Sequence, residues 1–595
     1  MKKKVSDIVI DYIVEKGIDH VFMVTGGGIM HLTDSIGTNL NLSYTCNNHE
    51  QASVIAAESY ARIKNKPGVA LVTIGPGAGN AIAGVFGAWY DSIPLIIISG
   101  QVRSDIIADY SLIRQKGAQE ANIIETVKPI TKYAVSVTNP DDIFDEIEKA
   151  YGLATSGRPG PVWIEIPTNI QGTIIEFEEK DNSKKAKALP TITEEQVKEI
   201  CDLISQSKRP LFVPGNGINL AGARDEWFKL FNNIEIPAVV SVLSKDLIID
   251  EHPRSVGAFG TSGQRRANFA VQNCDCLIAI GAGLSIAKVG FNFDNFAPKA
   301  KKIIVDIDIN QIRYQPIKAD LEVVCDAGEF IKLIGKELSS RQLNTDKRWL
   351  DACKNWKDKY PIILEDYYQD KNHVNMYVFM DKLSDYLTGG EVIISGNGFD
   401  CVSLYQAFKV KNNQRIVVGG GNWGSMGWDL PLCIGAKVAN PAANVICVTG
   451  DGSFQFNVQE LLTMKQYKLP IKIFIYNNAG YASIRSTQNS LMEGRIYASD
   501  DKSGVGTPDF KKLAEAYSFG YEQINTNDDL GKIEQLLHSD EPFICEVKIA
   551  YDVIITPKAS AFKREDGTLE SRPLEDMFPF LPREEIKYNM TLFED

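Results

Sequence analysis

The stretch VICVTGDGSFQFNVQELLTMKQYKLPIKIFIYNN, residues 445–478, decides the fold. It opens with an apolar β-branched run, turns at Gly450-Asp451-Gly452-Ser453 and continues in a helical pattern. A second apolar run, IKIFIY, then ends at Asn477-Asn478. Strand, glycine turn, helix and strand make a βαβ unit, whose two strands run parallel. Similar runs recur as VALVTIGPG (69–77), PLIIISGQ (94–101), PVWIEIP (161–167), PLFVPGNG (210–217), CLIAIGAG (276–283), KIIVDID (302–308) and EVIISGNG (391–398). Strands that are apolar throughout, alternating with helices, belong to parallel sheets covered on both faces. The expected fold is α/β, with three doubly wound parallel-sheet domains.

The length of 595 residues suits three or four domains at about 150 residues each. Two charged, core-poor stretches, 176–193 and 337–361, break the strand–helix rhythm, the second with helical pieces of its own. They predict domains over 1–175, 190–340 and 370–555, with a tail over 556–595. Hydrophobic residues make up 44% and charged residues 23%, which excludes a disordered or collagen-like chain. The net charge of −13 argues against nucleic acid or an anionic membrane as partner. No run of about 18 apolar residues predicts a membrane span, and residues 1–20 read as an amphipathic helix rather than a signal peptide. The ten cysteines are scattered without a CxxC pair, and Cys274 and Cys276 read as buried residues of an apolar run. A reduced, cytoplasmic protein is expected.

Two segments carry chemistry. In the first, Asp451 and Asn478 stand at the carboxyl ends of two parallel strands, the edge where ligands bind in open α/β sheets. Both are hard oxygen donors suited to Mg²⁺ or Ca²⁺. Gly452 lets the backbone approach a phosphate, and the Ser453 hydroxyl can bind its oxygens. The bland alternative is a tight turn with a solvated Asp. In the second segment, NNHEQASVIAAESYARIKNKPGVALVTIGPGAGN (47–80), Glu50 opens a helix after a strand. A carboxylate there can simply cap the helix. The glycine clusters GPGAGN and GNGINLAG lack the GxGxxG spacing of a nicotinamide enzyme.

The pairing of GDG with NN, 26 residues between Asp451 and Asn478, resembles the cofactor motif of thiamine diphosphate enzymes. Residues 47–80, with VFMVTGGGIM (21–30), DSIPLIIISGQV (91–102) and ATSGRPGPVWIEIPTNIQ (154–171), resemble the first domain of the acetolactate synthase (acetohydroxyacid synthase large subunit) family. GTSGQRRANFAVQNCDCLIAIGAGLS (260–285) and GGGNWGSMGWDLPLCIGAKVANP (419–441) look like its central and third domains. The resemblance implies a pyrimidine-binding, a central and a diphosphate-binding domain, with thiamine diphosphate and Mg²⁺ as cofactors. It implies that Glu50 activates the cofactor by a bond to its aminopyrimidine, and that Gln119 approaches the reaction centre. It places Asp451, Asn478 and the Gly480 carbonyl on the metal, and Met426 under the bend of the cofactor. It implies further cofactor contacts at Gly26, Gly27, Asn80, Asn397, Gly398, Gly424, Gly452 and Ser453.

Several positions depart from the pattern. Phe399-Asp400 stands where the family has Gln-His, and a carboxylate beside a diphosphate is unfavourable unless turned away or paired. Thr487 replaces the tryptophan that selects the second keto acid, so a larger or more polar acceptor pocket is expected. Arg485 beside it reads as a solvated helix residue or an anion-binding group. GAFGTSGQRRANFAV resembles part of the family's FAD region, yet LSIAKVGF replaces the charged stretch expected after the GAG turn, so FAD stays open. His31 and His49 lie near the site loops and read as structural or proton-handling residues. The tail ESRPLEDMFPFLPREE (570–585) resembles the family's segment that closes over the site.

The expected function is a carboligase that decarboxylates a 2-keto acid, pyruvate first among them, and transfers the two-carbon unit to a carbonyl acceptor. The alternatives are acetyl transfer to a keto-sugar or another large acceptor, simple 2-keto acid decarboxylation, and a catalytically silent regulatory subunit. The resemblance also implies a homodimer or homotetramer whose active sites are shared between subunits.

Overall fold

Each apolar run becomes a buried parallel strand. The computed structural model describes residues 1–178, 189–419, 421–563, 566 and 569–594. Most of the charged stretch expected at 176–193 lies outside these residues. Among the described residues, three parallel sheets of six strands form. The first holds β1 (His20–Met23), β2 (Ser43–Cys46), β3 (Gly68–Val72), β4 (Leu95–Gln101), β5 (Tyr133–Ser136) and β6 (Pro161–Pro167). The second holds β7 (Pro210–Pro214), β8 (Ala238–Val240), β9 (Ser255–Ala258), β10 (Cys276–Ile280), β11 (Lys301–Asp306) and β12 (Leu321–Val324). The third holds β13 (Val392–Ser395), β14 (Arg415–Val418), β15 (Val445–Gly450), β16 (Lys472–Asn477), β17 (Gly520–Ile524) and β18 (Phe543–Lys548).

The first sheet is ordered β2-β1-β3-β4-β6-β5 and the third β14-β13-β15-β16-β18-β17. These are the same order, although the two segments share no repeat at the level of residue identity. The central sheet is ordered β9-β8-β7-β10-β11-β12. In each sheet the chain reverses its direction of winding beside the first strand, and that switch point opens a crevice at the carboxyl edge. The crevices lie between β1 and β3, between β7 and β10, and between β13 and β15.

Six helices position the residues discussed below: α1 (Glu50–Lys64), α2 (Pro76–Asp91), α3 (Phe399–Ala407), α4 (Asp429–Ala439), α5 (Asp451–Gln455) and α6 (Ala482–Leu491). Small residues let α1 of the first domain and α4 of the third approach closely. A Cβ on Gly435 would lie 2.0 Å from the Ala56 carbonyl oxygen. Trp428 Nε1 donates to Glu58 at 3.2 Å, and Glu58 in turn holds Arg62 at 2.6 Å. Arg62 also bonds Asp91 at 2.6 Å, so one buried charge network crosses the boundary.

The helix Lys347–Lys359, within the stretch read as charged and core-poor, buries Trp349, Cys353 and Trp356 in the central core. The tail docks on the central helix Arg265–Asn273. Asn268 Nδ2 donates to the Leu574 carbonyl at 3.0 Å, Gln272 donates to Glu575 at 2.8 Å, and Met577 is fully buried. No described helix is long and apolar enough to cross a membrane.

Candidate active site

The GDG turn follows β15, and the Asn-Asn pair ends β16. Asp451 opens α5 with a carboxylate only 2% exposed. Its Oδ1 accepts from the Gly452 amide at 2.7 Å, and its Oδ2 from the amides of Asn478 at 3.1 Å and Gly480 at 2.9 Å. One carboxylate thus gathers both turns. Burial pushes its pKa up to about 6, and it has no ion-pair partner among the described residues. Asn478 is buried beside it, and Gly480 adopts φ +117°, which favours glycine.

Arg485 is neither solvated nor aimed at an anion. It is 2% exposed, and its guanidinium donates to the carbonyls of Asn478 (2.6 Å), Ala479 (3.2 Å), Ser499 (2.9 Å) and Tyr551 (3.0 Å). It is a clamp on the loop that follows Asn477. Thr487 is exposed on the other side of α6, near exposed Ile484 and Leu491.

Around the third sheet's crevice, several residues expected to contact the cofactor also make bonds and contacts within the chain. A Cβ on Gly452 would fall 2.4 Å from the Tyr481 ring, so internal packing already requires glycine there. The Ser453 hydroxyl donates to Asp429 at 2.7 Å and accepts from the Gly427 amide at 2.9 Å. Asn457 donates to the Gly427 carbonyl at 2.7 Å, and the Asn397 amide donates to the Gly424 carbonyl. Gly424 and Gly427 both have positive φ, +67° and +87°. The loop carrying half-buried Met426 is therefore pinned on both sides. Asp400 is turned inward, 1% exposed, accepting from Ser395 Oγ at 3.1 Å. Burial and the neighbouring Asp429 push its pKa up to about 7. The carboxyl that clashed with the expected chemistry is thus buried behind Gly396 and Gly398.

The first sheet's crevice gathers the other predicted residues. Glu50 lies against the start of α2, with Oε2 accepting from Asn80 Nδ2 at 3.0 Å. A Cβ on Gly77 would sit 3.0 Å from Glu50 Oε1, so glycine lets the carboxylate lie there. Gly75 (φ +45°) abuts the Gln119 backbone, where a Cβ would come 1.7 Å from the carbonyl oxygen. Gln119 itself is left-handed, φ +62°, with an exposed side chain. Of the three turn glycines, Gly26 and Gly28 are required by contact with Thr73 and Ile74, whereas Gly27 faces open space. His31 packs on Gly172, and His49 caps α1 with a buried Nδ1 that lacks a hydrogen-bond partner.

Two residues that the sequence reading passed over hold these loops. Glu120 accepts from the amides of Lys116 and Gly117, each at 2.7 Å. Glu460 accepts from Asn47 Nδ2 at 2.9 Å and the Asn48 amide at 3.0 Å, tying the approach to Glu50 to the third domain. Neither stands in a glycine turn or at a strand end, so no motif marked them.

The central switch point opens a separate cleft of about 580 Å³. Gly215 and Gly281 abut backbone to backbone, a Cβ on Gly215 falling 2.1 Å from the Gly281 carbonyl oxygen. Arg158, Lys288 and Asp306 line it. Burial pushes Lys288 down to about 8 and raises the Asp306 carboxyl. Lys288 comes from LSIAKVGF, the stretch that stands in place of the family's charged arginine-and-aspartate segment.

Three domains of doubly wound architecture, with Asp451 at one switch point and Glu50 at the edge of another sheet, are the arrangement expected of a thiamine-dependent enzyme. Comparison with known families agrees. The N-terminal thiamine pyrophosphate-binding domain of thiamine pyrophosphate enzymes matches residues 3–126, their central domain 197–334, and their C-terminal thiamine pyrophosphate-binding domain 397–547. The chain is 31% identical over 562 residues to the probable acetolactate synthase large subunit of Methanocaldococcus jannaschii, covering 92% of each. It is 30% identical over 571 residues to the acetolactate synthase large subunit of Lactococcus lactis, covering 94% of this chain and 95% of that one. The isozyme 3 large subunit of Escherichia coli is 30% identical over 522 residues, 86% of this chain and 88% of its own. The chain belongs to the acetolactate synthase large-subunit family of thiamine diphosphate-dependent enzymes.

Proposed function

We propose that this enzyme decarboxylates a 2-keto acid, pyruvate first among them, and joins the two-carbon unit to a carbonyl acceptor. The observation that carries the reading is the Asp451 carboxylate, buried, in no salt bridge among the described residues, and accepting from the amides of both Asn478 and Gly480. A desolvated carboxylate with oxygen neighbours fits a hard divalent cation. Asp451, Asn478 Oδ1 and the Gly480 carbonyl would hold Mg²⁺, leaving positions for phosphate oxygens and water. Asn397, Gly398, Gly424, Gly452 and Ser453 border the same crevice and would line the diphosphate. Met426, on its pinned loop, offers an apolar support for the cofactor.

When bound, thiamine diphosphate supplies a nucleophilic carbon that adds to the keto group and holds the electron pair left by departing carbon dioxide. Glu50 would hold a proton at its carboxylate and polarise the pyrimidine, with Asn80 fixing its orientation. Gly26, Gly27 and Gln119 border the space before it. The Glu50 and Asp451 turns occupy carboxyl edges of different sheets, and exposed apolar residues such as Met30, Tyr44 and Phe456 accompany them. This supports a homodimer or homotetramer in which the Glu50 of one copy faces the metal turn of another.

Exposed Thr487 favours a second reading for the acceptor. A small side chain on the open face of α6 leaves room for a keto-sugar or similar large carbonyl compound. The central cleft, at the switch point of its sheet, suits a dinucleotide. The absorption spectrum of ligand released by heat distinguishes FAD from a colourless nucleotide. The function is tested by incubating the protein with thiamine diphosphate, Mg²⁺ and pyruvate and reading products by NMR. Acetolactate, or a ketol formed with an added acceptor, is the expected result. Acetaldehyde alone in the presence of every acceptor tried would replace ligation with simple decarboxylation.

A further inference from the structure

A third cavity, of about 460 Å³, lies between α6 and the C-terminal segment. Ser486 and Asn489 line it from α6, and Lys558, Ser560, Phe578 and Phe580 from the tail. It belongs to none of the three switch-point crevices. Its volume is that of a small-molecule site, and its lining combines an apolar floor with a few polar groups. The rings of Phe578 and Phe580 meet edge to face at 5.8 Å and form the floor. Arg572 lines it too, its guanidinium 4.5 Å above the Phe580 ring while one nitrogen pairs with Asp576 at 2.8 Å.

The polar lining is incompletely used. The Lys558 ammonium is half-buried and has no hydrogen-bond or ion-pair partner among the described residues. Burial alone lowers its pKa, with no carboxylate raising it again. The buried Ser560 hydroxyl likewise has no partner. A desolvated cation and an idle donor beside an aromatic floor are complementary to an anion on an apolar body.

The cavity also touches the loop after Asn477. Arg485 is one of its walls and at the same time grips the carbonyls of Asn478 and Ala479. Its guanidinium stacks 4.1 Å over the ring of Tyr551, another wall, and bonds that residue's carbonyl. An occupant pressing on this wall bears directly on the geometry of Asn478 and Gly480.

We infer that the cavity between α6 and the C-terminal segment binds a small organic anion, a carboxylate or phosphate monoester on an apolar body, through Lys558 and Ser560, and that its occupancy is felt at the metal loop through Arg485. The binding half stands on the cavity alone. The coupling half rests on reading Asp451, Asn478 and Gly480 as the metal site.

The test uses the full chain with phenylacetate and phenyl phosphate as probes, and uncharged 2-phenylethanol as control, by titration calorimetry. Both anions should bind saturably and at least about tenfold more tightly than the alcohol, the worth of one charge-assisted hydrogen bond. Lys558→Gln should lose about that factor for the anions and not for the alcohol, whereas Lys558→Arg should retain it. Equal anion binding by Lys558→Gln would overturn the site, and so would the absence of saturable binding. The Lys558→Gln comparison also separates this cavity from phenyl phosphate lodged in the diphosphate crevice. For the coupling, Mn²⁺ affinity is measured by electron paramagnetic resonance with thiamine diphosphate, with and without saturating phenylacetate. A change of threefold or more is expected. Unchanged affinity would overturn the coupling alone, and failure to bind Mn²⁺ at all would overturn the metal reading and the coupling with it. Inhibition competitive with the carbonyl acceptor would identify the anion as part of that acceptor, and noncompetitive inhibition would identify an effector.

Discussion

Asp400 and Asp429 converge on Gly396, each with a carboxylate oxygen within 3 Å of where a Cβ would stand, at 2.9 and 2.8 Å. Asp429 is engaged by Thr449, Ser453 at 2.7 Å and the Leu430 amide at 2.9 Å, while Asp400 is held by Ser395 at 3.1 Å. Two buried acids near one another make ionising both costly, and Asp429 is one of the groups that raise the Asp400 carboxyl.

The pair makes stability depend on pH. The Asp400 carboxyl is raised from 3.8 to about 7 in the fold, chiefly by burial and then by Asp429. Between those values the folded chain keeps a proton that the unfolded chain has released. Its stabilising contribution is therefore complete below about 3.8 and lost as pH rises through about 7. Asp400→Asn removes this loss. Its stability relative to the unaltered protein should rise by on the order of 2 kcal/mol between pH 5 and pH 8. Melting temperatures of both proteins across that range check it, and a constant difference would show that Asp400 does not keep its proton in the fold.

Glu50→Gln should keep the hydrogen bond with Asn80 geometrically while losing the proton-accepting carboxylate. Turnover should fall by roughly 10²–10⁴-fold, the usual worth of a general acid or base. Thiamine diphosphate affinity, read by calorimetry, should change little. Undiminished turnover would strip Glu50 of its role.

Asp451→Ala removes the carboxylate that gathers the two turns and would hold the metal. Mg²⁺-dependent cofactor binding should weaken by more than the roughly 10–100-fold that outer-shell changes cost. Arg485→Lys cannot span the four carbonyls, so it should destabilise by roughly 1–3 kcal/mol for each carbonyl left without a donor. Calorimetric titration of Mg²⁺ and thermal denaturation separate the two effects. Equal metal affinity in Asp451→Ala and the unaltered protein would refute the site.

Gly435→Ala places a methyl group 2.0 Å from the Ala56 carbonyl oxygen and must push α1 away from α4. A loss of about 1–3 kcal/mol is expected. Gly531→Ala, where a Cβ meets nothing within 4 Å, serves as the control and should stay within about 0.5 kcal/mol. Denaturant melts of the two variants compare them directly.

The strands were legible because a parallel strand covered on both faces must be apolar along its whole length, and runs such as VICVT and PLIIIS are. The carboxyl-edge residues followed from the strand ends, which is why Asp451, Asn478 and Glu50 could be named. Arg485 was misread for a physical reason. Its helix, ASIRSTQNSL, is polar, and the cover that buries it comes from Tyr551, 66 residues onward. Asp400 posed a conflict while its direction was unknown, since the sequence of a helix's first turn does not tell whether its carboxyl points to ligand or core. Met577, Phe578, Phe580 and Leu581 marked the tail as a packing segment, but not the central helix on which it docks, because that partner lies 306 residues earlier.

The contact between Glu460 and the residues before Glu50 also sets an order of events during synthesis. Asn47 and Glu460 are 413 residues apart in the chain. At about 5–20 residues per second, a ribosome needs roughly 20–80 s to travel between them. For most of that interval the residues of the first sheet are already made, yet the turn bearing Glu50 lacks its brace and α1 lacks its partner α4. The nascent chain therefore exposes an alanine-rich helix face until the third domain arrives. That period is when a chaperone has most to shield, and a truncated message would release a first domain whose turn before Glu50 never gains its brace.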